Sequence, residues 1–265
     1  MADLRAELDR HPNGANWAEL SHELDEWLAA GQVATLWLRD DDAVAWTPQL
    51  QCLFEVAGDV PVALAVIPAL AEPGVPDRLQ SLPGVEVLQH GWRHENHWRT
   101  QGLSEYPPAR NDEEVLQEFR AGRDRLKQLF GDRALPVFAP PYHGFDDGFL
   151  PLLAKTGIRA ISRKGPRPAR QMAGIWQSNV HVVLIDWTEP PSFGDPKPVL
   201  QSVVEHLRAR RLGRVDSNEP TGLLTHHLVQ DEASYEFLAQ LIEVTRAHPA
   251  ARWLRASEVF TQAIE

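Results

Sequence analysis

Three histidines fall within eight residues of the stretch LQHGWRHENHWR, Leu88 to Arg99: His90, His94 and His97. Neutral imidazole is a common metal ligand, and His90 and His94 have the H-x-x-x-H spacing that brings two rings onto one ion from a helix face or a loop. Upstream, Asp40, Asp41 and Asp42 form an acidic triplet. One carboxylate with two histidines leaves positions open for water and substrate, as a hydrolytic metal site requires. Side chains alternate faces along a strand, so three acids in a row crowd like charges unless a cation or an arginine compensates. Arg39 stands beside them. Read structurally, the triplet is a helix N-cap or an exposed turn; read functionally, one aspartate binds metal and its neighbour acts as general base.

These residues need elements to hold them together. Short apolar runs alternate with longer amphipathic stretches, a βα rhythm. Strands are expected at Val33–Leu38, Val62–Ile67, Val85–Leu88, Val137–Ala139, Ile158–Ile161, His181–Ile185 and Gly222–Thr225. Helices are expected at Trp17–Ala30, Pro48–Ala57, Asp112–Phe130, Phe149–Lys155, Val199–Arg211 and Tyr235–Ala247. Polar residues follow directly on five of the strands, in LWLRDDD, VEVLQHGWRH, VFAPPYHGFDD, VVLIDW and GLLTHH. In α/β folds the loops at the carboxyl ends of strands converge on one site. A segment over residues 1–30 is expected to be helical and to pack on a single α/β domain over 31–265. The Pro-rich passages KGPRPARQMAG and EPPSFGDPKP are expected to be ordered surface loops.

Composition narrows the function. The chain has 265 residues, 43% hydrophobic and 24% charged, enough for one sizeable core. A formal net charge of −11 argues against nucleic acid, whose binding depends on clustered Lys and Arg. The RARR run, Arg208 to Arg211, is expected to be the solvated end of a helix. Cys52 is the sole cysteine, expected in the core, so an internal disulfide and a thiolate zinc cluster are excluded. No apolar run approaches the roughly 20 residues that span a bilayer, and the charged N-terminus lacks a signal-peptide core. A cytoplasmic protein without membrane contact is expected.

The ordered set of motifs resembles the polysaccharide deacetylase family, the chitooligosaccharide-deacetylase-like enzymes of carbohydrate esterase family 4, as a divergent member. LRDDDA stands where the family has its paired aspartates, His90-Gly91-Trp92-Arg93-His94 resembles its H-[ST]-x-x-H motif, and FAPPYHGFDD resembles its R-x-P-Y groove motif. Asp186-Trp187 and LLTHH resemble its D-W and L-x-x-H motifs, in the same order along the chain. The resemblance implies a distorted (β/α) barrel of about seven parallel strands. It implies removal of an acetyl group from an N-acetylated or O-acetylated sugar by a metal-activated water, with zinc as the first expectation and cobalt or another divalent ion as alternatives.

Residue roles carried over by resemblance are as follows. The preferred register makes Asp41 the base and Asp42 a metal ligand with His90 and His94; the competing register makes Asp40 the base and Asp41 the ligand. L-x-x-H selects His226 as general acid when counted from Leu223 and His227 when counted from Leu224, with His226 preferred. Trp92, Pro141, Tyr142, His143 and Trp187 are expected to contact substrate, with Trp98 as a further sugar-stacking wall, and the Tyr142 N–H to face the oxyanion. Asp186 is expected to orient the catalytic histidine. Ala139 stands where the family has an arginine that positions the catalytic aspartate, a task open to Arg39 or Arg93 here. His97 is expected beside the site, and His181 and the Asp146-Asp147 pair in structural roles. Two other readings compete: a carbohydrate-binding relative without turnover, for which Ala139 argues, and a hydrolase of a non-sugar amide. The implied partner is a small molecule or oligosaccharide.

Overall fold

The computed structural model describes residues 16–98, 102–188 and 190–264. The first fifteen residues of the expected N-terminal segment lie outside the described residues. Its remainder is helix α1, Trp17–Ala29, which buries Trp17, Leu20, Leu24 and Trp27. Among the described residues no helix is long and apolar enough to cross a membrane.

A curled, mostly parallel sheet forms the centre. Its strands are β1 (Ala34–Ala43), β2 (Val62–Val66), β3 (Val85–His90), β4 (Ala134–Ala139), β5 (Ala160–Ile161), β6 (Gln171–Met172), β7 (Ile175–Gln177), β8 (Val182–Val183), β9 (Thr221–Thr225) and β10 (Ala251–Trp253), in the order β6-β7-β5-β4-β3-β2-β1-β9-β8 with β10 beside β1. β7 starts alongside β5, an isolated bridge joins Val180 to Lys164, and β8 then pairs with β9. One bent segment thus passes from the β5 edge to the β9 edge and curls the sheet into the distorted barrel expected. The larger helices, α2 (Pro48–Ala57), α4 (Asp112–Phe130), α6 (Pro196–Arg211) and α7 (Glu232–Ala247), surround it, with short helices α3 (Val75–Leu79), α5 (Leu150–Lys155), α8 (Ala256–Val259) and α9 (Thr261–Ile264) between and after them.

The strand period of two sorts side chains between two cores. In β1, Leu36 and Leu38 join the layer under the helices, while Trp37 faces the barrel interior with Ala63, Ala65, Leu88, Ala139 and Leu224. Small residues dominate that interior because Trp37 fills much of it. A Cβ at Gly222 would come 2.6 Å from Trp37 Nε1.

The structure departs from the expected elements in instructive places. β1 runs on to Ala43 through the acidic triplet, because β9 pairs with it as far as Asp40 and β2 as far as Ala43. α6 and α7 begin three residues earlier than expected, where Asp195 accepts from Lys197 N–H and Asp231 from Ser234 N–H as N-caps. Part of KGPRPARQMAG is not loop, since Gln171–Met172 pairs antiparallel with Ile175–Gln177. Arg210 is not solvated: it is 1% exposed and donates to Thr35 O, Thr35 Oγ1, Thr221 Oγ1 and Ser217 O. Its guanidinium replaces water with four acceptors and lies 5.1 Å from the centre of the Trp27 ring. Cys52 is partly exposed, on the rim of α2 rather than in the core.

Candidate active site

The barrel parity determines which aspartate reaches the interior. Residues 37, 39 and 41 share the inner face, so Arg39 and Asp41 are buried there at 0% and 1% exposure. Arg39 Nε lies 2.8 Å from Asp41 Oδ1 and Nη2 donates to Oδ2 at 3.0 Å. Nη1 is anchored on Ser162, donating to its carbonyl at 3.0 Å and its hydroxyl at 2.8 Å. Burial pushes the Asp41 carboxyl up, but the Arg39 guanidinium, followed by His90 and His226, holds it below the usual carboxylate range.

Asp40 faces the other way. Its carboxylate accepts from the Thr225 hydroxyl at 2.8 Å, from His227 N–H at 3.0 Å and from the His227 ring at Nδ1, 2.6 Å. The same parity operates in β9 and just beyond it, where Leu224 and His226 face inward while Leu223, Thr225 and His227 face outward.

Asp42 breaks the alternation. Between Asp40 and Ala43 the β1–β2 register slips, and Asp42 takes φ 69°. A bulge of this kind re-aims a side chain, and here it brings Asp42 into the same cavity as Asp41. Asp42 Oδ1 lies 3.1 Å from His90 Nε2 and 3.1 Å from His94 Nε2. His90 Nδ1 is 2.9 Å from Ala139 O, so it donates there, and the ring turns Nε2 toward Asp42. One donor atom from each of Asp42, His90 and His94 falls within 4.8 Å of the others, a set able to hold a metal ion. The donor types suit zinc or a similar divalent ion. Burial raises the Asp42 carboxyl, yet the His90 and His94 hydrogen bonds lower it far more, so the carboxylate is ionised and available.

A cavity of about 1020 Å³ opens over these groups. Asp41, Asp42, His90 and His94 share it with His226, Tyr142 and His143, while Trp187, Leu103, Val183, Pro190 and Pro191 make an apolar wall and Lys164 lies at the edge. Trp187 packs edge-on against His226 with ring centroids 4.7 Å apart. Burial holds His226 below the ordinary imidazole range, opposed by Asp41, Asp42 and Asp40, and its Nδ1 has no hydrogen-bond partner among the described residues. His143 is pushed down to about 3, by burial and then by Arg39, and is neutral.

The remaining expected contacts lie elsewhere. Trp92 and Trp98 do not line the cavity; Trp92 is tied by its backbone, its carbonyl accepting from Ala69 N–H and its own N–H pointing at Glu105. Pro141 is buried beneath Gly91. Asp186 accepts from the Thr188 N–H rather than holding a histidine. His97 donates its N–H to Ser104 O, Asp146 caps the turn at Gly148, and Asp147 pairs with Arg163. Of the two arginines weighed for the aspartate, the structure places Arg39 on it. Glu105 escaped the sequence reading: nothing in LSEYPP marks it, yet it is 1% exposed and accepts from the N–H groups of Trp92, Arg93 and His94.

Residues 37–161 match the family model described as polysaccharide deacetylase. No curated protein matches this chain. Three solved structures are similar throughout. A Mycobacterium smegmatis protein assigned as a polysaccharide deacetylase has 15% identity and a TM-score of 0.60, covering 88% of this chain and 91% of that one. A family 4 carbohydrate esterase from Bacillus anthracis has 14% identity and a TM-score of 0.54, covering 87% and 86%. A family 4 acetyl xylan esterase from Clostridium thermocellum, solved in complex with a cobalt ion, has 14% identity and a TM-score of 0.52, covering 86% and 91%. At these identities the likeness is one of fold.

Proposed function

We propose, on the match of residues 37–161 to the polysaccharide deacetylase family model, that this chain is a member of that family and a metal-dependent hydrolase removing an acetyl group from an N-acetylated or O-acetylated sugar. The observation that carries the reading is the convergence of Asp42, His90 and His94 at one end of a cavity that Asp41 and His226 also line. A divalent ion, zinc by preference, held by those three residues would polarise the acyl carbonyl and make water a stronger nucleophile.

The chain's own groups supply the proton transfers. Asp41, kept ionised by Arg39, takes the proton from the attacking water. The Tyr142 N–H would face the developing oxyanion. His226 is neutral at rest, and the carboxylates around it favour its receiving from Asp41 the proton taken from water, which it then gives to the departing amine or alcohol. Tyr142 and Trp187 form the walls against which a sugar ring can stack.

Arg39 favours turnover over the non-catalytic alternative. It makes the contact to Asp41 that Ala139 cannot, from the same strand rather than from β4. Metal analysis of protein purified without chelator tests the reading: about one equivalent of zinc or cobalt is expected, lost in His90→Ala and His94→Ala, and metal-free protein that resists reconstitution would overturn it. Acetate release across N-acetyl and O-acetyl sugars then tests the substrate, with activity on other amides alone favouring the non-sugar reading.

A further inference from the structure

Glu105 is a carboxylate buried against backbone. Trp92, Arg93 and His94 donate their N–H groups to it at 3.2, 2.7 and 3.1 Å. Consecutive amides aimed at one anion form a nest, an arrangement that elsewhere binds free phosphate or another anion. In this chain the anion is built in. Gly91 leaves room for it: the residue has φ 62°, and a Cβ there would come 1.9 Å from Glu105 Oε2 and 2.6 Å from Pro141 Cγ. The glycine at the hydroxyl position of the H-[ST]-x-x-H pattern and the buried glutamate therefore go together.

The nest ends on His94, itself at φ 61°. A non-glycine residue in the left-handed region costs on the order of 1–3 kcal/mol and persists only where surrounding contacts impose it. They do so from both sides: the His94 N–H binds Glu105, and the His94 carbonyl accepts from the Tyr142 hydroxyl at 2.9 Å. Glu105 is fixed in turn. Its carbonyl accepts from Arg110, which pairs with Glu118 at 2.8 Å, and the neighbouring Ser104 hydroxyl donates to Gly144 O on the Tyr142 loop.

We propose that Glu105 is a positioning residue of the metal site: by binding three successive amides it sets the backbone turn that delivers His94 Nε2 to Asp42. The inference rests on the reading of Asp42, His90 and His94 as metal ligands. Without Glu105, His90 remains set by β3 and Asp42 by β1, while the His94 backbone keeps, among the described residues, the bond from the Tyr142 hydroxyl.

The test is cobalt(II) titration of metal-free wild type and Glu105→Gln, read by visible absorption, with the melting temperature of each metal-free protein measured alongside. Removing a residue that orients a ligand weakens metal binding by roughly 10–100-fold, so Glu105→Gln is expected to bind cobalt at least about tenfold more weakly, with an altered band shape and a metal-free melting temperature near that of wild type. Should Glu105→Gln fail to fold, Gly91→Ala, which displaces the carboxylate without removing it, is expected to weaken binding to a similar degree. Equal cobalt affinity in wild type and a folded variant would overturn the inference alone. Failure of the wild type itself to bind cobalt would overturn the ligand assignment and the inference with it.

Discussion

Arg39 and Asp41 face each other inside the barrel, two residues apart on one strand, with Nε 2.8 Å from Oδ1 and Nη2 3.0 Å from Oδ2. Removing one partner of a buried pair strands the other charge and costs about 3–5 kcal/mol. Arg39→Ala is therefore expected to lower stability by that order. Asp41 also loses its orientation, and kcat/KM falls by roughly a hundredfold. Arg39→Ala/Asp41→Ala should be inactive yet more stable than Arg39→Ala alone, measured by urea denaturation. Equal or lower stability of the double variant would show that the pair is not what holds the single variant back.

His226 and His227 should separate cleanly by phenotype. His226 faces the cavity, so His226→Ala is expected to lower kcat by about 10²–10⁴-fold while leaving the melting temperature within a few degrees. His227 is bound to buried Asp40 at 2.6 Å, so His227→Ala is expected to destabilise by about 3–5 kcal/mol. The Asp40 charge and hydrogen bond raise His227 above 6.5 despite burial. Its stabilising contribution is thus fully present below pH 6.5 and declines as pH rises through the raised folded value. A stable His227→Ala with lost activity would reverse the two assignments.

Metal should report on the fold as well as on turnover. An ion that binds only the folded chain adds about 2.7 kcal/mol at a hundredfold excess over its Kd, which for a chain of this size raises the melting temperature by roughly 5–10 °C. Chelator is expected to remove that increment from wild type and to leave His90→Ala unchanged. Calorimetry with and without zinc checks this, and an identical shift in both proteins would place the ion elsewhere.

Much of this site follows from strand periodicity. Trp37, Arg39 and Asp41 differ by two, as do Leu224 and His226, so an inward Asp41 and His226 can be read from parity once one inner residue is known. The start of α4 is legible because Asn111 precedes an acidic first turn, whereas the apolar period alone starts α6 and α7 three residues late, past the turns that Asp195 and Asp231 cap. Other features depend on contacts far apart in the chain. The bulge that turns Asp42 inward breaks the period that revealed Asp41, and nothing local announces it. Glu105 matters only because the loop after β3 folds over it, and Arg210 is buried only because Thr35, Thr221 and Ser217 meet at one end of the barrel. β6 and β7 are two and three residues long, too short for periodicity to show.

His181 and His206 contribute to the acid limit of the fold, alongside His143 and His226, which burial also lowers. Their rings stack with centroids 3.6 Å apart and 21° between planes. His181 Nδ1 accepts from Gly222 N–H and its Nε2 faces Glu219 at 3.4 Å, while His206 Nδ1 lies 3.0 Å from the Thr221 hydroxyl. Burial lowers both imidazoles; Arg210 and the stacked partner push His206 down to about 2, and Glu219 only partly offsets burial at His181. Burial favours the neutral form of both rings in the fold, whereas each takes a proton in the unfolded chain near pH 6.5. Below that pH the unfolded state binds more protons, so stability falls as pH drops. Each histidine adds a slope of up to about 1.4 kcal/mol per pH unit, and His227 adds none there because it is protonated in both states. Urea denaturation between pH 6.5 and 5, above the carboxylate range, should show this loss in wild type and a shallower slope in His206→Gln, which keeps a polar group for Thr221. Matching slopes in the two proteins would place the acid sensitivity outside the stacked pair.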